Sequence, residues 1–291
     1  MGLEKTFELK HVLLLNTATL IISTSAVIAR YMNIAPKLAI FGRSAIAFLA
    51  LALFMAIKGS EFKVRKTDLP ILLGSGFLLA IHWVLYFFAL EQTSVAIGVI
   101  TIFTYPIWTV LLEPIFLKTK FDPINLILAV AILFGVYLLV PPEPSSKMLL
   151  GISSGIVSAI AYSIRNLYSK KILSQYSGYK ILWFQALVVV LVLFPFIDGQ
   201  EYQIMMDNGW MLLLLGTLTT ALGHGLMVTS LKYFNVGQAG ILASLQPLYA
   251  IILGIVVLGE IPTGNIILGG LIIFSLVLYE VYRSAKDKTP S

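Results

Sequence analysis

Apolar residues along the chain do not alternate with polar ones; they gather into runs of roughly 18–24, each long enough to cross a hydrocarbon core of about 30 Å. The runs fall at about 11–29, 38–57, 69–90, 94–117, 123–141, 148–168, 180–197, 209–230, 236–258 and 264–283. Short polar links separate them. Ten spans of about 20 residues use roughly 200 of the 291 positions, and the remainder is divided among links and tails. The pattern predicts an all-α polytopic membrane protein of ten transmembrane helices, with no room for a soluble domain.

A search for internal repeats organises these spans. The stretch ALEQTSVAIGVITIFTYPIWTVLLEPIFLKTKFDP from Ala89 aligns without a gap to SLKYFNVGQAGILASLQPLYAIILGIVVLGEIPTG from Ser230. Pro106 then meets Pro247, Trp108 meets Tyr249, and Leu117 meets Leu258. The boundary between copies falls at residues 145 and 146, giving repeats 1–145 and 146–291 of five spans each. Five is odd, so the second copy starts on the opposite side of the membrane. The expectation is an inverted-topology repeat, an arrangement found in secondary transporters with a substrate site near the midplane.

Polar side chains inside a span are costly against lipid and should face the bundle interior or a wet cavity. Helical phase groups them into stripes. Span 3 carries His82 and Tyr86; span 4 carries Thr101, Tyr105 and Trp108; span 6 carries Ser154, Ser158, Tyr162 and Arg165. Span 8 contributes Thr217, Thr220 and His224, span 9 Gln246 and Tyr249, and span 1 Asn16, Thr19 and Ser23. Spans 5 and 10 are almost purely apolar, apart from Glu280 near one end. The candidate substrate-binding groups are therefore His82, Tyr86, Tyr105, Trp108, Tyr162, His224, Gln246 and Tyr249. Serine and threonine hydroxyls in membrane helices commonly bond their own backbone instead.

Three charges lie within spans. Arg43 sits about six residues in from Lys37; it either snorkels outward or anchors an anion near an outer gate. Glu113, near the other end of span 4, is either an interfacial carboxylate or a gate latch paired with Lys118 or Arg165. Pro106 and Pro247 are expected to kink their helices by removing a backbone bond. No carboxylate occupies the centre of a span, so facilitated diffusion or exchange is favoured over tight ion coupling.

Composition agrees with the pattern: 58% of residues are hydrophobic and 12% charged, about half the charged share of a soluble domain. Basic residues then orient the spans. One side holds Lys5, Lys10, Lys58, Lys63, Arg65, Lys66, Lys118, Lys120, Arg165, Lys170, Lys171, Lys180, Lys232, Arg283, Lys286 and Lys288; the other holds only Arg30, Lys37 and Lys147. Both termini are thus expected to be cytoplasmic, and the net charge of +6 reflects topology, not nucleic-acid binding. The segment MGLEKTFELKH has mixed charge and no small-residue cleavage site after it, and reads as a tail and not a signal peptide. Cysteine is absent. No phosphate loop, metal-ligand spacing or Ser-His-Asp order occurs, so no enzyme, cofactor or metal is expected.

The run AIHWVLYFFALEQTSVA, the proline span after it, and SLKYFNVGQAGILASLQPLYAIILGIVVLGEIPTGNIILGGLIIFS resemble the paired repeats of the EamA-type branch of the drug/metabolite transporter superfamily. Leu258-Gly259-Glu260 and the glycines Gly269 and Gly270 of the last span add to the likeness. At the position matching Glu260 the first repeat has Thr119 instead. The resemblance implies a central cavity, alternating access and movement of small metabolites, often export of amino acids, related compounds or toxic ones, at the cytoplasmic (inner) membrane. Its partners would be a small-molecule substrate and membrane lipid. A nucleotide-sugar or sugar-phosphate antiporter, a lipid-carrier flippase, and a membrane sensor or assembly subunit stand as alternatives. Substrate, coupling and oligomeric state are left open.

Overall fold

The computed structural model describes residues 9–137, 145–259, 261 and 263–286. Among them the secondary structure is helical, without strands. In chain order the first half gives α1 (Leu9–Met32), α2 (Pro36–Ile57), α3 (Leu69–Gln92), α4 (Val95–Ile102), α5 (Tyr105–Leu117) and α6 (Pro123–Tyr137). The second half gives α7 (Ser146–Ile172), α8 (Gly178–Leu193), α9 (Gly199–Asp207) and α10 (Gly209–Leu214), then a π-helical stretch over Leu215–His224. It closes with α11 (Gly225–Ser230), α12 (Val236–Ala243), α13 (Gln246–Leu258) and α14 (Gly264–Lys286). Among the described residues, seven helical stretches are long and apolar enough to cross a membrane. Residues 138–141 of the fifth apolar run lie outside the described residues, while the expected repeat boundary at 145 and 146 falls at the start of α7, where Ser145 is the N-cap.

The spacing seen in sequence carries into the elements. Helices α4 and α12, and α5 and α13, have bounds displaced by the same 141 residues, as do the first residues of α6 and α14. Each fourth span is therefore two short helices, not one kinked rod. Pro106 lies in the first turn of α5 and Pro247 in that of α13; the side chain of Pro247 is outside the described set. Proline is well placed there because its missing N–H is an orphan of the first turn, whereas in a continuous helix it would cost about 3 kcal/mol. At the far ends, Lys118 closes α5 and Gly259 closes α13, both in the left-handed conformation with φ 55 and 68. Glycine accepts that geometry without strain and lysine does not.

Packing respects exchange of the halves. Helix α1 packs on α12 and α13 while α7 packs on α4 and α5, and α3 packs on α8 while the π stretch packs on α2. The two second helices meet directly and antiparallel. The Lys37 ammonium donates to the Phe196 carbonyl at 2.8 Å, Phe48 stacks on Trp183 and Phe54 meets Tyr179. At the periphery α14 packs on α6, and the end of α14 reaches the start of α6 through Arg283 and Asp122 at 3.1 Å. Both expose apolar side chains, including Ile127, Phe134, Leu268 and Leu271, as expected of a lipid-facing rim.

Contacts across the links place the basic segments together. His11 stacks on Tyr233, Arg65 donates through its backbone to the Tyr176 hydroxyl, and Lys180 reaches the Lys63 carbonyl at 2.5 Å. Lys170 donates to the carbonyls of Leu231 and Phe234. This basic end opposes the end where Arg30 meets the Leu90 carbonyl at 3.1 Å and Lys37 pairs with Glu201 at 2.7 Å. Arg165 is not part of the basic links; it is fully buried.

Candidate functional site

Between the halves lies a small cavity of about 30 Å³, walled mainly by apolar surface with a few polar groups, a space large enough for two or so waters at roughly 10–15 Å³ each. Helices α1, α2, α3 and α5, the break before α5, α7, the π stretch and the start of α13 supply its walls. Six of the eight expected binding residues line it: His82, Tyr86, Tyr105, Tyr162, His224 and Gln246. Trp108 and Tyr249 do not. Tyr249 gives its hydroxyl proton to Asn16 Oδ1 at 2.8 Å, clipping α13 to α1. Trp108 is half-buried against the neighbouring core.

The aromatic wall is ordered by ring contacts and backbone hydrogen bonds. His82 stacks on Tyr162 with centroids 4.4 Å apart, and Tyr105 meets Tyr162 edge-on at 5.0 Å. The Tyr105 hydroxyl donates to the Gly240 carbonyl at 3.1 Å, tying the halves together. His82 Nδ1 lies 2.9 Å from Ser158 Oγ, and that hydroxyl donates to the His82 carbonyl at 2.7 Å. One serine thus fixes both ring and backbone of the histidine. His82 and His224, from opposite halves, come to the same cavity.

Arg43 also lines the cavity. It does not snorkel: its relative exposure is 1%. Its Nε donates to Thr220 Oγ1 at 2.8 Å, Nη1 to Ser25 Oγ at 2.9 Å and Nη2 to Thr219 Oγ1 at 3.1 Å. The guanidinium carbon lies 4.7 Å from the Trp83 ring centre, a cation–π arrangement. Two adjacent threonines can serve one arginine because of the π geometry. Both Thr219 and Thr220 donate to the same Leu215 carbonyl at 2.7 Å, from four and five residues along, which leaves their lone pairs for Arg43. The wider turn also changes one position of the face: Thr220 and His224 point inward as regular helical phase predicts, but Thr219 is buried where Thr217 was expected, and Thr217 is half-exposed. π-Helical insertions within α-helices are frequent at functional sites, though usually as a single turn, whereas this one runs for ten residues. Gly216 permits the close approach, since a Cβ there would lie 2.5 Å from Ile46 Cβ.

Two polar atoms at the cavity have no hydrogen-bond partner, the Tyr86 hydroxyl and His224 Nδ1. An unpaired buried polar group costs about 1–3 kcal/mol, so such groups belong where a ligand or water completes them.

The other two charges sit elsewhere. Arg165 is held by Gln185 Oε1, at 3.0 Å from Nε and 2.5 Å from Nη2, and by Asn166 Oδ1 at 2.9 Å. Gln185 in turn donates to Ser75 and Ser169 at 3.0 Å. Glu113 pairs with neither Arg165 nor Lys118. Its two oxygens accept the backbone N–H groups of Val236 and Gly237, each at 2.9 Å. A carboxylate on the first turn of α12 satisfies orphan donors and complements the helix dipole.

A match to the EamA-like transporter family covers residues 9–140 and 149–279, essentially one copy on each half. The chain belongs to the EamA-like transporter family. Relatives of this EamA-like protein are named as transporters or as an exporter. A Bacillus subtilis protein, Uncharacterized transporter YxxF, is 27% identical over 199 residues, 67% of this chain and 64% of that protein. The Pseudomonas aeruginosa pseudopaline exporter CntI is 24% identical over 156 residues, 54% of each. The matched segment thus spans less than two thirds of the Bacillus relative and about half of the exporter. A solved crystal structure superposes with a TM-score of 0.74 at 16% identity, covering 96% of this chain and 99% of that one; the likeness is one of fold. The family is one of transporters, and the long apolar helices are those of a multi-pass membrane protein.

Proposed function

We propose that this EamA-like transporter moves small polar or amphipathic metabolites, amino acids or related compounds, outward across the cytoplasmic membrane by alternating access. In this reading ten spans form two inverted five-helix repeats, residues 1–145 and 146–291, around the cavity. Three features support the inversion: matched element bounds, packing that is preserved when the halves are exchanged, and antiparallel contact between α2 and α8. The basic end would face the cytoplasm, with both termini there.

The observation that carries the reading is the cavity at the junction of the halves, with polar groups left unpaired. A cavity of about 30 Å³ is too small for an amino acid, so the halves must separate for a substrate to enter. The geometry fits a contracted state between two open ones. At the basic end the Glu113 clasp would act as a latch, because its partners lie on the other half. Its counterpart position, Gly254, carries no carboxylate, so the latch is one-sided. Export is favoured by the similarity to an exporter. Exchange or facilitated movement is favoured over ion coupling because Glu113 is spent on the α12 backbone.

The test is counterflow in liposomes containing the purified protein, loaded with an amino-acid panel or with nucleotide sugars and sugar phosphates. Amino-acid counterflow supports the reading; counterflow of the phosphorylated compounds alone favours an antiporter of that class. No counterflow of any panel member overturns a metabolite carrier of either class.

A further inference from the structure

We infer that the cavity takes a substrate carrying its own carboxylate, held by Arg43 with Tyr86 and His224 completing the shell, and that it rejects organic cations. This rests on the transporter reading and narrows it. Arginine stays protonated at any physiological pH, so a full positive charge faces the cavity. Among the described residues no carboxylate lies within ion-pair distance of it; its three bonded acceptors are the hydroxyls of Ser25, Thr219 and Thr220. Hydroxyl dipoles and the Trp83 ring solvate a guanidinium but do not neutralise it. A buried charge left without a counter-ion is expensive.

Donor arithmetic points the same way. Guanidinium has five N–H groups, three of which make the bonds just named. Two remain, one on each terminal nitrogen, and a planar carboxylate is suited to such a pair. The Tyr86 hydroxyl and one tautomer of His224 Nδ1 are further unpartnered donors at the same cavity. Their neutral character matters: one fixed cation with neutral donors matches a single negative charge, whereas a phosphate dianion would call for a second cation on the wall. Arg165, the other buried cation, does not line the cavity and is occupied by Gln185 and Asn166. The aromatic faces of Tyr105, Tyr162 and Trp83 would receive the substrate's apolar part. A cationic compound would meet Arg43 in a low-dielectric enclosure, where like-charge repulsion is strong.

The experiment compares each amino acid with its amide, which lacks the carboxylate and is cationic, and with its N-acetyl derivative, which is anionic. Binding to the full chain in detergent micelles is read by heat-unfolding shifts and equilibrium dialysis. The acid and N-acetyl forms of at least one side chain should bind, and its amide at least about ten-fold more weakly, as the loss of a charged hydrogen bond predicts. Arg43→Gln should erase this preference and Arg43→Lys should keep part of it. If Arg43→Gln does not fold, the comparison on the unaltered protein still decides. Equal binding of acid and amide, tighter binding of the amide, or no binding of any acid would overturn the inference. Counterflow of neutral or cationic metabolites in the same liposomes would leave the transporter reading standing while this one fell.

Discussion

The two buried arginines, Arg43 on α2 and Arg165 on α7, have the same exposure class and no carboxylate partner, yet their surroundings differ in kind. Arg165 sits in a closed amide network in which Gln185 accepts from the guanidinium and passes its own protons to Ser75 and Ser169. That network joins α3, α7 and α8 and does not line the cavity between the halves. Arg43 rests on three hydroxyls at the wall of a cavity, with spare donors and unpaired neighbours. Burial alone does not distinguish a structural charge from a functional one; what does is whether the remaining hydrogen-bonding capacity is used up inside the protein or aimed into a cavity.

The contrast can be broken from either side. Arg165→Met should lower stability by about 3 kcal/mol, because Gln185 Oε1 is left without its donors in a dry interior; heat unfolding in detergent measures it. The loss should appear whether or not substrate is present. Arg43→Gln should instead leave unfolding within about 1 kcal/mol of the parent but reduce transport roughly 10- to 100-fold, as counterflow rates would reveal. A reversal of these two phenotypes would mean the assignment is backwards.

Smaller effects sharpen the comparison of the halves. Glu113→Gln replaces an anion accepting two N–H groups by an amide that accepts one, and should weaken the join of α5 to α12 by about 2 kcal/mol. Engineered cysteines flanking the basic end should then become more reactive, while the equivalent pair near Gly254 should not change. Lys118→Gly should raise stability by about 0.5 kcal/mol, since it relieves a left-handed lysine at the position where the second half already has glycine. Gly259→Lys should cost about as much or more.

Much of the fold was legible because long apolar runs admit one reading in lipid, and because a gapless repeat ties element bounds to one another. The inward-facing stripe of span 6, from Ser154 through Ser158, Tyr162 and Arg165, followed from regular helical phase and is buried, but only Tyr162 reaches the cavity. In span 8 phase placed Thr220 and His224 correctly, but nothing in Leu215–His224 announces a π stretch, and its wider turns bring Thr219 inward in place of Thr217. Arg43 was visible as the boldest intramembrane charge, but its closeness to Lys37 made an outward reach equally plausible from sequence. Its real partners are three hydroxyls on two distant helices. Glu113 was missed as a helix cap because its partners are backbone groups 123 and 124 residues away, which leave no side-chain signature. Tyr249 was lost to the cavity through Asn16, a pairing across opposite ends of the chain.

The most direct test uses the absence of native cysteine. Ile22→Cys puts a thiol on the cavity wall, and Phe134→Cys puts one on the exposed apolar rim. Each is treated with a membrane-impermeant anionic thiosulfonate in right-side-out and in inside-out vesicles. The account predicts that the thiol at 22 reacts from both faces and is protected by transported substrate, while that at 134 reacts from neither. Reaction at 22 from one face only, or from none, would contradict a shared cavity reached alternately from the two sides of the membrane.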